Sequence, residues 1–254
     1  MKLISFNVNG IRASVNKGLH DSLRTIDADI VCFQETKATP EQVAGALQGL
    51  EGYHLTAYSA ERPGYSGTAI LSKEEPIRVD HGLDGADEHN TEGRVITATF
   101  ADHIVVNSYV PNSGDGLKRL GYRSQWDEAL RAHLVQLAQG KRPVIFTGDL
   151  NVAHQPIDIA RPKPNYNKSP GYTQTEIDGL SALLNAGYVD TFRHFHPDTV
   201  KYSWWSQRFG AREKNVGWRI DYVLVSQGFE AQVKEAFILN EVMGSDHCPV
   251  GISW

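Results

Sequence analysis

Five short segments hold the residues whose types and spacing could do chemistry: Asn7-Val8-Asn9-Gly10, Gln34-Glu35-Thr36-Lys37, Gly148-Asp149-Leu150-Asn151, Trp218-Arg219-Ile220-Asp221-Tyr222 and Gly244-Ser245-Asp246-His247. Each stands at an end of a short apolar run. Together they offer carboxylates, asparagine amides and a histidine beside an acid. Oxygen donors of this kind suit a hard divalent cation and a phosphate better than zinc. One segment alone would mean little. Five in this order point to metal-dependent cleavage of a phosphodiester.

Taken singly, each residue has a bland reading as well. Glu35 follows Ile30-Val31-Cys32-Phe33, so it should emerge at a strand end, where a sheet can fix a Mg²⁺ ligand. It reads as readily as a surface acid or a partner for Lys37. Asn7 and Asn9 follow the first apolar run; amide oxygens are neutral hard ligands and amide N–H groups can hold phosphate. An Asn-rich turn is also common for conformational reasons alone. Asp149 and Asn151 lie two apart, so a continuing strand would turn both to one face. There one could take a proton from water or steady a leaving oxygen while the other orients that water; the alternative is an Asx turn. Asp221 opens a strand, and His247 follows Asp246. A histidine oriented by a carboxylate is fixed in tautomer and donates strongly to a phosphate oxygen. The remaining histidines read as structural. Tyr109 ends an apolar run, where its phenol could reach a phosphate or simply pack. Trp204, Trp205 and Trp218 lie in or beside the most basic segment, a pattern that suits an unstacked sugar or base beside phosphates; Trp205 reads as core. No Gly-x-Ser-x-Gly elbow, Walker-type glycine loop or zinc-spaced cysteine pair is present.

The elements that must position these residues are short strands with helices between them. Strand-like runs cover Lys2–Asn7 and residues 29–34, 67–72, 95–100, 104–110, 143–148, 220–225, 233–239 and 250–254, rich in Ile, Val, Phe and Tyr. Leu19, Leu23 and Ile26 are helically spaced, as are Trp126, Leu130, Leu134 and Leu137. A third helix should begin at the capping box Thr173-Gln174-Thr175-Glu176, and a fourth at Pro40, running to about Leu50. Residues 155–172, with four prolines, read as a long irregular loop. The mixed order predicts an α/β protein with mixed sheets covered by helices.

The chain of 254 residues can bury a sizeable core, and its 41% apolar and 22% charged residues are ordinary for a globular domain. No membrane span or signal peptide is expected. Cys32 and Cys248 sit among apolar residues and read as buried thiols, which suits a cytoplasmic protein. A net charge of −5 argues mildly against nucleic acid. The distribution matters more: residues 74–92 are acidic, whereas residues 201–219 hold Lys201, Arg208, Arg212, Lys214 and Arg219 against Glu213, which predicts a basic face.

With these residues assembled, the chain resembles the exonuclease III / AP endonuclease family of the endonuclease–exonuclease–phosphatase superfamily, in its compact bacterial form. The resemblance rests on Asn7-Val8-Asn9-Gly10-Ile11-Arg12, Gln34-Glu35-Thr36-Lys37, Gly64-Tyr65-Ser66-Gly67, Glu92-Gly93-Arg94, Tyr109-Val110-Pro111-Asn112, Gly148-Asp149-Leu150-Asn151-Val152-Ala153-His154, residues 215–222 and Gly244-Ser245-Asp246-His247-Cys248-Pro249. It implies a single catalytic domain over residues 1–254. It also implies a four-layered α/β sandwich, with two mixed β-sheets packed face to face and helices outside. The implied activity is Mg²⁺-dependent incision of duplex DNA 5′ to abasic sites, with 3′→5′ exonuclease and 3′-end trimming. Mn²⁺ would substitute for Mg²⁺, and the expected state is a monomer acting on double-stranded DNA with abasic sites or blocked 3′ ends.

By the same resemblance Glu35 is the principal metal ligand, with Asn7 and Asp246 beside it and Asp149 and Asn151 as further candidates. Asp149 activates water or helps the leaving oxygen, and Asn151 orients the nucleophile. His247, paired with Asp221, and Tyr109 stabilise the phosphate. Trp204, Trp218 and Ile220 form the pocket for a flipped-out abasic sugar, where flipping costs least because no base is paired. Asn9, Asn112, Arg119, Asn165 and Arg208 complete the substrate-binding set. The sequence departs from the family at Asn9, where some members carry Asp and an amide would weaken metal binding, and at Asp115, a loop position that is Arg in some relatives. Two other readings fit parts of the sequence: a relative acting on a small phosphoester or lipid, and a DNA-binding module without catalysis. The tryptophan pocket and basic segment favour DNA over the first, and the full set of catalytic positions argues against the second.

Overall fold

A computed structural model describes all 254 residues. The strands in chain order are β1 (Lys2–Asn7), β2 (Ile30–Gln34), β3 (His54–Tyr58), β4 (Thr68–Ser72), β5 (Arg78–His81), β6 (Val95–Thr99) and β7 (Ile104–Tyr109). They continue as β8 (Val144–Asp149), β9 (Tyr188–Asp190), β10 (Trp204–Trp205), β11 (Gly217–Trp218), β12 (Asp221–Ser226), β13 (Glu235–Ile238) and β14 (Val250–Ser253). Helices are α1 (Ile11–Val15), α2 (Leu19–Ile26), α3 (Pro40–Ala46), α4 (Leu120–Ala138), α5 (Pro162–Asn165), α6 (Gln174–Asn185) and α7 (Thr191–Phe195). No helix is long and apolar enough to cross a membrane.

Two six-stranded sheets form, ordered β13-β14-β1-β2-β4-β3 and β5-β6-β7-β8-β12-β9, with β10-β11 as a separate ribbon. Both are mixed: β1 pairs parallel with β2, and β7 with β8, while the other pairs are antiparallel. Period-two alternation sorts each strand between two layers. Leu3, Ile30, Cys32 and Ile70 of one sheet meet Ile96, Val105, Ile145 and Val223 of the other in the central layer. Ile4, Phe6, Val31 and Phe33 face outward onto α1, α2 and α3 through Ile11, Leu19, Leu23 and Val43. On the opposite side Val106, Phe146 and Leu224 pack under Trp126, Leu130 and Leu134 of α4 and Leu180 and Leu183 of α6. The result is the four-layered sandwich expected.

At one end of the central layer the inward positions turn from apolar to polar. Following Leu3, Ile30, Val105, Ile145 and Val223 along their strands in steps of two leads to Ser5 and Asn7, Gln34, Asn107 and Tyr109, Thr147 and Asp149, and Asp221. Register sets these ends level, since Asn7 is paired with Gln34, Tyr109 with Asp149, and Asp149 with Asp221. Side-chain hydrogen bonds tie the two sheets beneath them. Gln34 Nε2 donates to Ser5 Oγ (2.9 Å) and to Asn107 Oδ1 (2.7 Å), and Asn107 Nδ2 donates to the Phe33 (3.0 Å) and Ala69 (2.9 Å) carbonyls.

Several sequence expectations change. Strands β3, β5 and β9 were not anticipated; all three lie at sheet edges, where β3 and β5 are partly exposed, which weakens the apolar signal, and β9 is largely buried but only three residues long. The helix from Pro40 stops at Ala46 rather than near Leu50, after the capping box of Thr39 and Gln42. The helix capped by Thr173 and Glu176 forms as α6. The segment 155–172 is less irregular than its prolines suggest, with a 3₁₀ turn at Pro156–Asp158 and the short α5. Two arginines of the basic segment serve the fold. Arg219 is buried between Asp158 and Asp190, and Arg212 donates to the Ser245, Asn240 and Val242 carbonyls. Cys32 and Cys248 are buried free thiols.

Gly148 sits at φ +147°, and a Cβ there would lie 1.8 Å from the Ser108 carbonyl oxygen. Only glycine lets β8 approach β7 this closely one residue before Asp149. We expect Gly148→Ala to destabilise the protein by about 3 kcal/mol, combining backbone strain with overpacking. Urea denaturation would check this, and a variant as stable as the parent would contradict the close approach.

Candidate active site

The polar ends of the two sheets converge on Asn7. Its Nδ2 donates to Glu35 Oε1 (2.9 Å) and to Asp149 Oδ2 (2.9 Å), and its Oδ1 accepts from Asn9 N (3.0 Å). One amide thus links the carboxylates of two different sheets. Glu35 follows β2 in a left-handed conformation (φ +52°), as do Lys37 (+50°) and Asn9 (+46°). Backbone bonds hold these turns together: Gly10 N to Glu35 O, Ile11 N to Thr36 O, Thr36 N to Gly67 O and Lys37 N to Ser66 O. Three non-glycine residues in this region within two short turns mark a segment whose strain is offset by its surroundings.

Lys37 takes the part its spacing allowed. It is the ion-pair partner of Glu35, with Nζ 2.9 Å from Oε2, and Nζ also donates to Asn9 Oδ1 at 2.5 Å. Asn9 Nδ2 donates in turn to Asp246 Oδ1 (3.0 Å). Burial would raise the pKa of Glu35, but the Lys37 charge and the Asn7 amide outweigh it and hold the carboxyl below its usual range. For Asp246 the His247 charge and the Asn9 bond likewise outweigh burial.

Asp149 and Asp221 flank His247. Nδ1 lies 2.9 Å from Asp221 Oδ2, and Nε2 lies 3.8 Å from Asp149 Oδ2. Ser203 Oγ donates to Asp221 Oδ2 (2.6 Å) and accepts from the Ile220 and Asp221 amides. Burial alone would lower the His247 pKa, but Asp221, then Asp149 and Asp246, push it up to about 10. Burial and the adjacent Asp221 charge push Asp149 up to about 7. Tyr109 is held well above its usual value by burial and by the Glu35 charge, and its ring packs 4.6 Å from the Arg94 guanidinium.

The donor set fits a hard cation. Ligand atoms of Glu35, Asp149 and His247 lie within 4.8 Å of one another. A protonated His247 would repel a metal ion, so oxygen donors on Glu35, Asn7, Asp149 and Asp246 are the better holders. The Lys37 ammonium on Glu35 is itself a stand-in showing that this place accepts positive charge.

Asn151 departs from the strand-continuation expectation. β8 ends at Asp149, Asn151 is left-handed (φ +48°), and its amide N–H donates to Asp149 Oδ1 (2.9 Å), which is an Asx turn. Its side chain is engaged on both sides, donating to Val110 O and accepting from Asn112 Nδ2. Trp204 and Trp218 meet edge to face at 5.8 Å over a buried cluster of Ala153, Ile159, Tyr172 and Ile220. Ile220 is therefore a floor beneath the indoles. Trp205 is buried, as its sequence reading had it, and Arg208 is exposed. Arg119 donates to Tyr65 Oη and Glu92, outside the immediate cluster. Asn165 stands apart too: its amide donates to Arg161 O and accepts from Ser169 Oγ within its own loop. Asp115 opens a short 3₁₀ turn before α4.

Sequence reasoning missed Ser203, which orients Asp221. It also missed Phe209, an 88% exposed aromatic next to Arg208. Nothing marks Ser203 in the sequence, and the only signal at Phe209 is that it is an apolar residue inside a basic run.

Residues 4–247 match the model of the Endonuclease/Exonuclease/phosphatase family. An exodeoxyribonuclease of Bacillus subtilis (strain 168) is 51% identical over 252 residues, 98% of each chain. An AP endonuclease structure from Archaeoglobus fulgidus superposes with a TM-score of 0.91 at 30% identity, covering 100% of this chain and 99% of that one. A 3′ phosphatase from Neisseria bound to product DNA hairpin superposes with a TM-score of 0.90 at 27% identity, with the same coverage.

The charge arrangement around His247 can be read directly. We expect its ring to titrate near pH 10 by NMR, and Asp221→Asn to bring that value down toward 6.5, the unperturbed histidine value. Folding raises this pKa, so the stability it contributes is complete below about pH 6.5 and is lost as pH rises toward 10. A wild-type ring titrating below 7 would contradict the arrangement.

Proposed function

The chain belongs to the endonuclease/exonuclease/phosphatase family, and we propose that it is a DNA-repair nuclease that incises duplex DNA 5′ to abasic sites. The observation that carries this is the pairing of one site with one pocket. The Glu35–Asn7–Asp149–His247 cluster can act on a phosphodiester, and the Trp204–Trp218 wall beside it can take an unstacked sugar. Trimming of 3′ ends would use the same site, which fits the 3′ phosphatase among the similar structures. The catalytic unit is proposed to be one domain over residues 1–254, acting as a monomer in the cytoplasm.

The roles follow from the chemistry of each side chain. Glu35, with Asn7 and Asp246, would hold Mg²⁺, with Mn²⁺ able to replace it and Asp149 within reach. Bound there, the cation supplies charge neutralisation for the phosphate oxygens. Asp149 accepts a proton from the attacking water or supports the leaving oxygen. Its raised pKa puts it near the working range of a general base. Asn151, fixed through Asn112 and Val110, orients the nucleophile. His247, kept protonated by Asp221, donates to a non-bridging phosphate oxygen, and Tyr109 adds a second donor. Arg208 and Arg119 would face the flanking backbone, with Asn9 near the scissile phosphate.

The first test is a labelled duplex with one central abasic site, incubated with Mg²⁺ or with EDTA beside an intact control. Mg²⁺-dependent cutting 5′ to the lesion is expected. No cleavage of either duplex would sink the DNA reading. Glu35→Ala should lower incision by orders of magnitude while binding of the abasic duplex survives. Incision by that variant at the parent rate would remove Glu35 from the metal site. Trp218→Ala, which removes half of the aromatic wall against which the sugar would pack, should reduce kcat/KM on the abasic duplex about fivefold or more, equivalent to a loss of about 1 kcal/mol.

A further inference from the structure

We infer that Lys37 is a tethered cation that occupies the divalent-metal position and must be displaced for the metal to bind, so that it sets the metal affinity of the site. The inference rests on the assignment of Glu35 as a metal ligand. It starts from a geometric fact: the two oxygens of Glu35 are both taken. Oε1 accepts from Asn7 and Oε2 from Lys37, whose ammonium lies 2.9 Å away. The ammonium also takes Asn9 Oδ1, whose own amide group is bonded to Asp246 Oδ1. Lys37 therefore stands in the line of oxygen donors that runs from Glu35 to Asp246. A divalent ion and an ammonium cannot both lie against Glu35 Oε2 without strong repulsion.

A purely structural ion pair would account for less. The Lys37 side chain is 34% exposed, and exposed pairs contribute little to stability. The backbone nevertheless holds both Glu35 and Lys37 in the left-handed region, pinned by amide bonds to Ser66 and Gly67 and to the Asn9-Gly10 turn. In that backbone the two side chains meet, with Lys37 Nζ against both Glu35 Oε2 and Asn9 Oδ1. The neutral partner matters as well. Asn9 offers Lys37 an amide oxygen where a carboxylate would hold it with full charge, so the ammonium is tied by one carboxylate and can be exchanged. Lysine suits such a role, being a compact charge on a flexible stem.

The test is the dissociation constant for Mn²⁺ alone, measured without DNA from the free-ion EPR signal at fixed pH. Three variants are needed: Lys37→Met, which keeps the stem and removes the charge, Lys37→Arg, which keeps the charge, and Glu35→Ala. We expect Lys37→Met to bind Mn²⁺ at least about fivefold more tightly than the parent, the lower end of ordinary coupling between sites. Lys37→Arg should stay within about twofold of the parent. Unchanged or weaker binding by Lys37→Met, while Glu35→Ala has lost Mn²⁺, would overturn the role of Lys37 alone. Parent-like Mn²⁺ binding by Glu35→Ala would instead overturn the metal-site reading on which it rests. Tightening by Lys37→Arg equal to that by Lys37→Met would show that shape rather than charge is responsible, and would also overturn it.

Discussion

The site depends on one amide, Asn7, bonding the carboxylates of two sheets at once. Its Nδ2 reaches Glu35 at the end of one sheet and Asp149 at the end of the other, each at 2.9 Å. The amide hydrogen bond helps to hold Glu35 ionised, while the Glu35 charge adds to the burial and the Asp221 charge that raise Asp149. That contact in turn requires the sheets to sit in fixed register. Gln34 and Asn107 provide this one layer below, where a misplaced strand would leave buried amides without partners. Gly148 completes the constraint by letting β8 lie against the Ser108 carbonyl. The apolar half of the central layer supplies stability, and its polar half supplies position.

Charge is arranged around this centre with two cations among four carboxylates. Lys37 lies against Glu35, and His247 lies between Asp221 and Asp149. The two cations differ in freedom. His247 is buried and held by a carboxylate that Ser203 itself fixes, so its charge is part of the scaffold. Lys37 hangs from a partly exposed stem and holds only Glu35 and Asn9. A substrate phosphate and a divalent ion together carry charges of both signs into the site. A fixed imidazolium and a movable ammonium are suited to meet them in different ways.

Much of this was legible in the sequence, for a physical reason. Asn7, Tyr109, Asp149 and Asp221 stand at the ends of apolar runs, and period-two alternation carries them to the face already defined by Leu3, Ile30, Val105 and Ile145, whereas Glu35 reaches it through the left-handed turn after β2. The central strands were readable because they are buried on both sides. The edge strands β3 and β5 were not, since exposure dilutes their pattern, nor was β9, whose three residues are too few to show one. What resisted reading depended on long-range partners. Arg219 and Arg212 looked like substrate-facing charge, yet Asp158, Asp190 and a set of carbonyls far along the chain claim them. For Asn151 a continuing strand and an Asx turn were both open, and nothing local announces that β8 ends at Asp149 and that the turn forms. Asn165, carried over from resemblance alone, is occupied by its own loop.

The pocket and the reacting centre are not independent. β10 carries Trp204, whose Nε1 donates to Asp246 Oδ2 at 3.3 Å, while the next residue's amide, Trp205 N, bonds the Asp246 carbonyl. Ser203, just before them, bonds Asp221. Ser203 and the two residues of the short strand that follows it therefore touch the wall that would recognise a sugar, the acid beside the proposed metal position and the acid that charges His247. A shift of this ribbon would move Asp246 and Asp221 together. The proposed sugar wall and the proposed reacting groups are thus coupled directly, without any longer path through the fold.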